Sequence, residues 1–146
     1  MKLKLAWIGR TKNKAVQELR DDYLKRTGRY IPIDGQEFAS EEALLKSLSK
    51  PQRTPPILVV LDRCGKQLSS EQIAELLRDF RDGGTQELLF AIGPADGWTN
   101  TALDAAHFQL SFGPITLPHE LARVVLAEQL YRAFTILQGH PYHCGH

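Results

Sequence analysis

The last third of the chain carries histidines and arginines at positions where they could move protons or bind anions. His119 begins a predicted long helix, where the helix dipole disfavours a positively charged ring and leaves a neutral imidazole able to accept a proton. The competing interpretation is that His119 only completes the turn or a contact between subunits. His107 lies inside a predicted strand, where a structural role is more typical.

Two arginines follow on the same predicted helix. Arg123 can reach Glu120 three residues earlier and Arg132 can reach Glu128 four residues earlier, which are the spacings of ordinary helix-surface ion pairs. The forked guanidinium of Arg123 equally suits an RNA phosphate or a pyrimidine carbonyl. The sequence leaves these two roles of Arg123 open.

The end of the chain, residues 140–146, is rich in histidine. His140, His143, Cys144 and His146 could together bind zinc, but the chain has no second cluster of ligands to close a tetrahedral site. We therefore expect no metal.

Three loops rich in glycine or proline follow predicted buried strands, at residues 61–66, 92–97 and 112–119. In open parallel sheets, ligands bind beyond the carboxyl ends of the strands. Such loops expose backbone amides and carbonyls, which suits a ligand with an adenine and little phosphate. The glycine-rich fingerprints of dinucleotide sites and P-loops are absent from the sequence.

Strands and helices alternate along the chain. Pro32 favours an edge position for the second strand, and Ser69 with Gln72 can form a capping box. The pattern predicts a single α/β domain over residues 1–146, with a mainly parallel sheet and helices on both faces. The predicted strands are Leu3–Gly9, Tyr30–Phe38, Ile57–Asp62, Leu88–Ile92 and His107–Phe112, and the predicted helices are residues 14–27, 40–48, 69–82, 99–106 and 118–137.

The composition is that of an ordinary globular domain. The 146 residues are 42% hydrophobic and 24% charged, and the longest apolar runs are far shorter than the roughly 20 residues of a membrane span. The start of the chain has no apolar signal-peptide core. Two cysteines are too few to stabilise a fold of this size through disulfides, so we expect a reduced, cytoplasmic protein.

Basic residues are concentrated in the first 30 residues. This segment holds nine lysines and arginines against three acids, although the whole chain has a net charge of only +1. One face of the protein is therefore expected to meet a polyanion. A solvated helix face is the alternative explanation.

The predicted long helix carries more apolar residues than one core needs. They extend beyond the stripe of about 100° that a single core covers. A second chain is expected to cover the surplus, which predicts a homodimer. The residues are Leu121, Val124, Val125, Leu126, Leu130, Tyr131, Phe134, Ile136 and Leu137.

The three loops and the tail together resemble the RlmH (YbeA-type) members of the SPOUT methyltransferases. The resemblance covers essentially the whole chain and is densest from residue 57 onward. It is carried by Leu61-Asp62 with Gly65-Lys66, Ile92-Gly93 with Gly97, Leu117-Pro118-His119, Arg123-Val124, Glu128-Gln129-Leu130-Tyr131-Arg132-Ala133 and His140-Pro141-Tyr142-His143.

The resemblance implies an enzyme that transfers a methyl group from S-adenosylmethionine (AdoMet) to N3 of a pseudouridine in the helix 69 hairpin loop of 23S ribosomal RNA. It also implies a C-terminal trefoil knot and a dimer. The tail would fold over the active site of its own chain or of the partner subunit and contact the target nucleotide. With the arguments above, the predicted catalytic residues are His119, Arg123, Tyr142 and His143. The implied cofactor-binding residues are Leu61, Gly93, Phe112, Gly113, Pro114, Ile115, Thr116 and Leu117.

Two features depart from the pattern of that family. Pro94 stands where relatives usually carry a second glycine, which removes one backbone N–H from the cofactor loop, and the chain ends in Cys144-Gly145-His146. Two other functions stay open. One is a SPOUT enzyme acting on transfer RNA or another ribosomal RNA site, and the other is a non-catalytic RNA-binding factor with the same fold, which Pro94 favours.

Overall fold

A parallel sheet of five strands forms the centre of the computed structural model, which describes residues 1–144. The strand order is β2-β1-β4-β3-β5, so the first strand of the chain is an inner one and β2 lies at an edge, as Pro32 predicts. The strands are β1 (Lys2–Ile8), β2 (Ile33–Phe38), β3 (Ile57–Gln67), β4 (Glu87–Ile92) and β5 (Phe108–Ser111). The helices are α1 (Lys14–Thr27), α2 (Glu41–Leu48), α3 (Ser70–Asp82), α4 (Asn100–Ala105) and α5 (His119–Leu137).

The sheet has a hydrophobic core on each face, which confirms the predicted α/β fold with helices on both sides. Side chains such as Leu5 and Phe90 pack with Leu77 of α3 and Leu130 of α5 on one face, where α1 also lies. On the other face, alternate residues of the same strands pack against α2 and α4. Inner strands buried on both faces explain the continuous apolar runs in the sequence.

Side-chain caps define where the helices begin. The predicted capping box of α3 is present: the Ser69 hydroxyl accepts from the Gln72 amide at 3.1 Å, and the Gln72 side chain accepts from the Ser69 amide at 2.8 Å. The side chains of Asn13 and Ser40 cap α1 and α2 by accepting from backbone amides of the first turn, whereas α4 and α5 begin without a side-chain cap. Within residues 1–144, no helix combines the length and apolarity needed to cross a membrane.

β3 is longer than the sequence predicts. It continues to Gln67, and its register against β5 shifts so that both Leu61 and Lys66 align with Leu110. At Gly65 a Cβ atom would lie 2.7 Å from the backbone of Gln109, so this close approach of two strands requires glycine. The predicted end at Asp62 is wrong because the polar extension pairs through its backbone.

α5 packs against α1 on one side and α3 on the other, and this arrangement buries most of its apolar surplus inside the single chain. Leu126, Leu130 and Phe134 all belong to the core beneath the sheet. Leu121 is 42% exposed at the start of the helix. The surplus therefore reflects a central helix with two neighbours, and a second chain is not needed to explain it; the homodimer stays a prediction.

Candidate active site at the carboxyl edge of the sheet

Residues from all three segments predicted as loops line one cleft of about 840 Å³, beyond the carboxyl ends of β4 and β5 and beside the middle of β3. Residues 61–66, predicted as a loop, lie within β3. The cleft is lined by all eight residues that the resemblance assigns to the cofactor, and His119 lies at its border. Its lining includes apolar residues such as Leu61, Ile92 and Leu117 together with glycines and prolines of the loops, a composition that suits a flat aromatic group with a polar edge.

Trp98 is a wall of this cleft that sequence reasoning missed. Its indole Nε1 donates to the Leu61 carbonyl at 2.9 Å, which joins the loop after β4 to the end of the first half of β3. A Cβ atom on Gly93 would lie 2.8 Å from the same indole ring. Gly93 is therefore required by the packing of Trp98, and only the spatial position of the indole reveals this.

The loop after β5 is tied to the β3 bulge through Ser111, a buried residue. The Ser111 hydroxyl accepts from the Gly113 amide at 3.0 Å and donates to the Arg63 carbonyl at 3.3 Å. Gly113 has a φ of +99°, a conformation that favours glycine, and no atom lies near the position of a Cβ there. Ile115 is 72% exposed beside this open space, which leaves an apolar side chain available at the mouth of the cleft.

His119 is the first residue of α5 and is half-buried at the border of the cleft. The side chain of the next residue, Glu120, lies against the turn between β1 and α1. There the Glu120 carboxylate accepts from the amides of Lys12 and Asn13, at 2.7 and 3.1 Å. Backbone hydrogen bonds from Asn13 and Lys12 hold the pKa of Glu120 below its usual range. Glu120 thus engages the backbone of a distant loop.

Arg123 is fully buried, which contradicts both positions that the sequence suggests for it, on the helix surface or facing RNA. Its guanidinium donates to the Thr11 hydroxyl at 2.7 Å and to the Ile8 carbonyl at 2.9 Å. Burial lowers its pKa. The forked guanidinium of Arg123 holds the carboxyl end of β1 against α5. Arg123 is therefore absent from the lining of the cleft.

The tail lies against α3 and α5 of its own chain. The predicted pair of Arg132 with Glu128 is confirmed at 2.8 Å. The Tyr142 hydroxyl donates to Glu128 at 3.1 Å, and its ring meets the Tyr131 ring edge-on with 4.7 Å between centroids. Burial is the main cause that raises the pKa of Tyr142.

His143 bridges two charged side chains. Its Nδ1 lies 2.9 Å from an Arg132 nitrogen, and its Nε2 lies 2.7 Å from a Glu71 carboxylate oxygen. Because arginine can only donate, the neutral ring carries its proton on Nε2 and donates to Glu71. This hydrogen bond lowers the pKa of Glu71. The structure therefore places Tyr142 and His143 outside the cleft of their own chain.

Metal-binding residues do not cluster in the described part of the chain: residues 1–144 contain no group of three or more His, Cys, Asp or Glu side chains that could hold an ion. The zinc ligand set considered for the tail includes His146, which with Gly145 lies outside the described residues.

The comparisons with known proteins define the class. The family model described as "Predicted SPOUT methyltransferase" matches residues 1–143, and the chain belongs to the SPOUT methyltransferase family. The resemblance given by the loops and the tail is thereby confirmed.

Two named relatives align with nearly the whole chain. The chain is 58% identical over 146 residues to the "Ribosomal RNA large subunit methyltransferase H" of Koribacter versatilis, with 100% of both chains covered. It is 42% identical over 156 residues to the protein of the same name from Geotalea daltonii, covering 98% of this chain and 99% of the relative.

Solved structures share the fold at low sequence identity. A probable methylase family protein from Haemophilus influenzae superposes with a TM-score of 0.60 at 12% identity, covering 97% of this chain and 70% of that one. The SpoU methyltransferase AviRb from Streptomyces viridochromogenes, in complex with AdoMet, gives a TM-score of 0.52 at 13% identity, covering 90% of this chain and 57% of that one. These likenesses establish the fold.

Proposed function

We propose that this chain is an AdoMet-dependent methyltransferase of large-subunit ribosomal RNA, and that its target is N3 of a pseudouridine in the helix 69 hairpin loop of 23S ribosomal RNA. One observation carries the proposal: the cleft gathers the eight implied cofactor positions and His119 in a chain that is 58% identical, end to end, to a large-subunit ribosomal RNA methyltransferase. The ribosomal substrate implies action in the cytoplasm.

The cleft fits AdoMet in shape and chemistry. An adenosine has two apolar faces and a hydrogen-bonding edge, which match the side chains of Leu61 and Leu117 and the exposed backbone of residues 112–117. Gly97 and Gly113 leave open space where other residues would carry a side chain. Pro94 supplies no amide, but it lies beside Gly93, whose own amide is retained.

The chemistry asks for alignment and for one proton acceptor. When bound, AdoMet supplies a methyl group whose transfer to N3 leaves its sulfur as a neutral thioether. The cleft walls orient the two reactants, which is where most of the acceleration in such a displacement arises. His119 takes the N3 proton, so that a nitrogen lone pair faces the methyl carbon; a general base of this kind contributes roughly 10²–10⁴-fold.

The tail completes the site from a second chain. Tyr142 and His143 are anchored at α3 and α5, outside the cleft of their own chain, so their proposed contact with the target nucleotide is made in the cleft of a partner subunit. We accordingly include the homodimer, and the C-terminal trefoil knot that the resemblance implies, in the proposal.

Mass mapping of ribosomal RNA tests the function directly. A strain that lacks the gene should lose one methyl group on a helix 69 pseudouridine, and the parental gene should restore it while the His119→Ala variant should not. Loss of a methyl group from transfer RNA instead would reassign the substrate. A purified chain that binds no AdoMet up to millimolar concentration would point to a non-catalytic RNA-binding factor.

A further inference from the structure

We propose that the turn between β1 and α1 binds RNA phosphates beside the cleft, an inference that rests on the proposed function because it takes RNA as the substrate. We define the basic loop as residues 10–14. Among the residues that the structure describes, only the basic loop combines three features. Its cations have no ion-pair partner, it lines a recess, and it is attached rigidly to the helix that carries His119.

The basic loop lines a recess of about 570 Å³ with a strongly positive wall. Arg10, Lys12 and Lys14 are exposed and share this wall with Thr11 and Gln17, and none of the five is acidic. Across residues 1–144, no ion pair engages any of these three cations. An uncompensated cluster of this kind attracts a polyanion by releasing its counterions.

The structure shows which cations of the first 30 residues carry uncompensated positive charge. Four of its cations already have carboxylate partners, so they add little to an external field. These pairs are Lys2 with Asp34, Lys4 with Glu87, Arg20 with Asp21, and Arg26 with Asp22. The remaining positive charge stands in the basic loop and, at the far end of α1, on Lys25 and Arg29.

Rigid attachment distinguishes the basic loop from the far end of α1. The Thr11 hydroxyl accepts from two arginines at once, Arg20 at 2.9 Å and Arg123 at 2.7 Å, and both guanidiniums are buried. Glu120 fixes the next two residues through their amides. The loop is therefore held in one conformation, so that a phosphate meets a preorganised site.

The same contacts place the basic loop next to the chemistry. Glu120 directly follows His119, and β1 runs parallel to β4 with Trp7 aligned to Ile92, so the basic loop and Gly93 leave the sheet at neighbouring strand ends. An RNA whose target base enters the cleft would pass its backbone over the basic loop. We infer that Glu120 is a positioning residue for this contact.

A matched pair of charge variants tests the site. Lys12→Gln/Lys14→Gln and Lys25→Gln/Arg29→Gln each remove two exposed cations of the N-terminal segment and differ only in place. Binding of a labelled helix 69 RNA hairpin is measured between about 50 and 200 mM salt, with AdoMet affinity measured by calorimetry in each protein. The loop variant should reduce the slope of log K against log salt by about 1.4–1.8, at 0.7–0.9 for each phosphate contact. The far-end variant should keep the parental slope, and both should bind AdoMet as the parent does.

An unchanged slope in the loop variant, or an equal loss in the far-end variant, would overturn the basic loop as the site and leave the proposed function untouched. A parental protein that binds AdoMet but no RNA would overturn both.

A second pair of variants tests the positioning role of Glu120. Glu120→Gln and Glu120→Ala remove the same charge, but only glutamine keeps a carbonyl oxygen for the amides of Lys12 and Asn13. Glu120→Ala should bind the hairpin at least several-fold more weakly than Glu120→Gln, with the salt slope preserved in both. Equal RNA affinity of the two variants would remove Glu120 from the proposal.

Discussion

Single residues in this molecule constrain the site through neighbours that are distant in the chain. Gly93 and Trp98 illustrate the point: the glycine is required because an indole ring occupies the space beside it, and that ring in turn donates to Leu61. The requirement for a particular residue at such a position comes from packing against its neighbour. It is therefore tested by changing both partners together.

Gly93→Ala should destabilise the protein by about 1–3 kcal/mol, the usual cost of an extra methyl group in a filled space, and should weaken AdoMet binding. Trp98→Leu should leave room for the methyl group, so the double variant should recover part of the stability lost in Gly93→Ala. Urea denaturation and calorimetry of the four proteins give the coupling. Simple additivity of the two changes would show that Trp98 is not the constraint on Gly93.

Arg123→Ala should cost about 1–3 kcal/mol, because it leaves the buried Ile8 carbonyl without its donor and removes the hydrogen bond to Thr11. Arg123→Lys should recover little, since lysine lacks the fork that reaches both oxygens. Chemical denaturation measures both effects. A variant with parental stability and no methylation would assign Arg123 to the reaction itself.

At the scale of elements, most strands and helices were predictable and the exceptions share a cause. β4, the first half of β3 and the second half of β1 are apolar runs buried on two faces, and residue spacing with caps at Ser40 and Ser69 marks the helices. The extension of β3 to Gln67 is polar and pairs through its backbone, so no hydrophobic pattern announces it. Sequence reasoning likewise missed the burial of Arg123, whose partner Thr11 is 112 residues away.

The docking of the tail on α3 should depend on pH through Glu71. The hydrogen bond from His143 lowers the pKa of this carboxyl, so the contact favours the docked tail above the ordinary glutamate value of about 4.3 and is lost as the pH falls through the lowered value. Carboxyl chemical shifts followed by NMR should give Glu71 a lower pKa in the parent than in His143→Ala. Identical titrations in the two proteins would show that the tail does not dock there in solution.

At the scale of the whole molecule, the proposed role of the tail requires a second subunit, because Tyr142 and His143 lie outside the cleft of their own chain. Light scattering at micromolar concentration should give twice the 16.4 kDa of one chain. Co-expression of a His119→Ala chain with a chain that lacks residues 142–146 should restore methylation that neither variant shows alone, because one cleft then has both His119 and a tail. Failure of the mixture, although the mixed dimer forms and the unmutated protein is active under the same conditions, would place the tail over the cleft of its own chain.

The inner position of β1 in the sheet has a consequence for how the chain folds during translation. β1 is synthesised before the other four strands of this sheet, yet its inner partner β4 and the covering helix α5 come from the second half of the given sequence. Leu3, Leu5 and Trp7 can pair early with β2, but they stay without β4 and α5 for most of translation, and long-range pairing of this kind is slow to form. A fragment of the first 50 residues should accordingly remain largely unfolded by circular dichroism. The earliest strand of this sheet is therefore among the last to be enclosed.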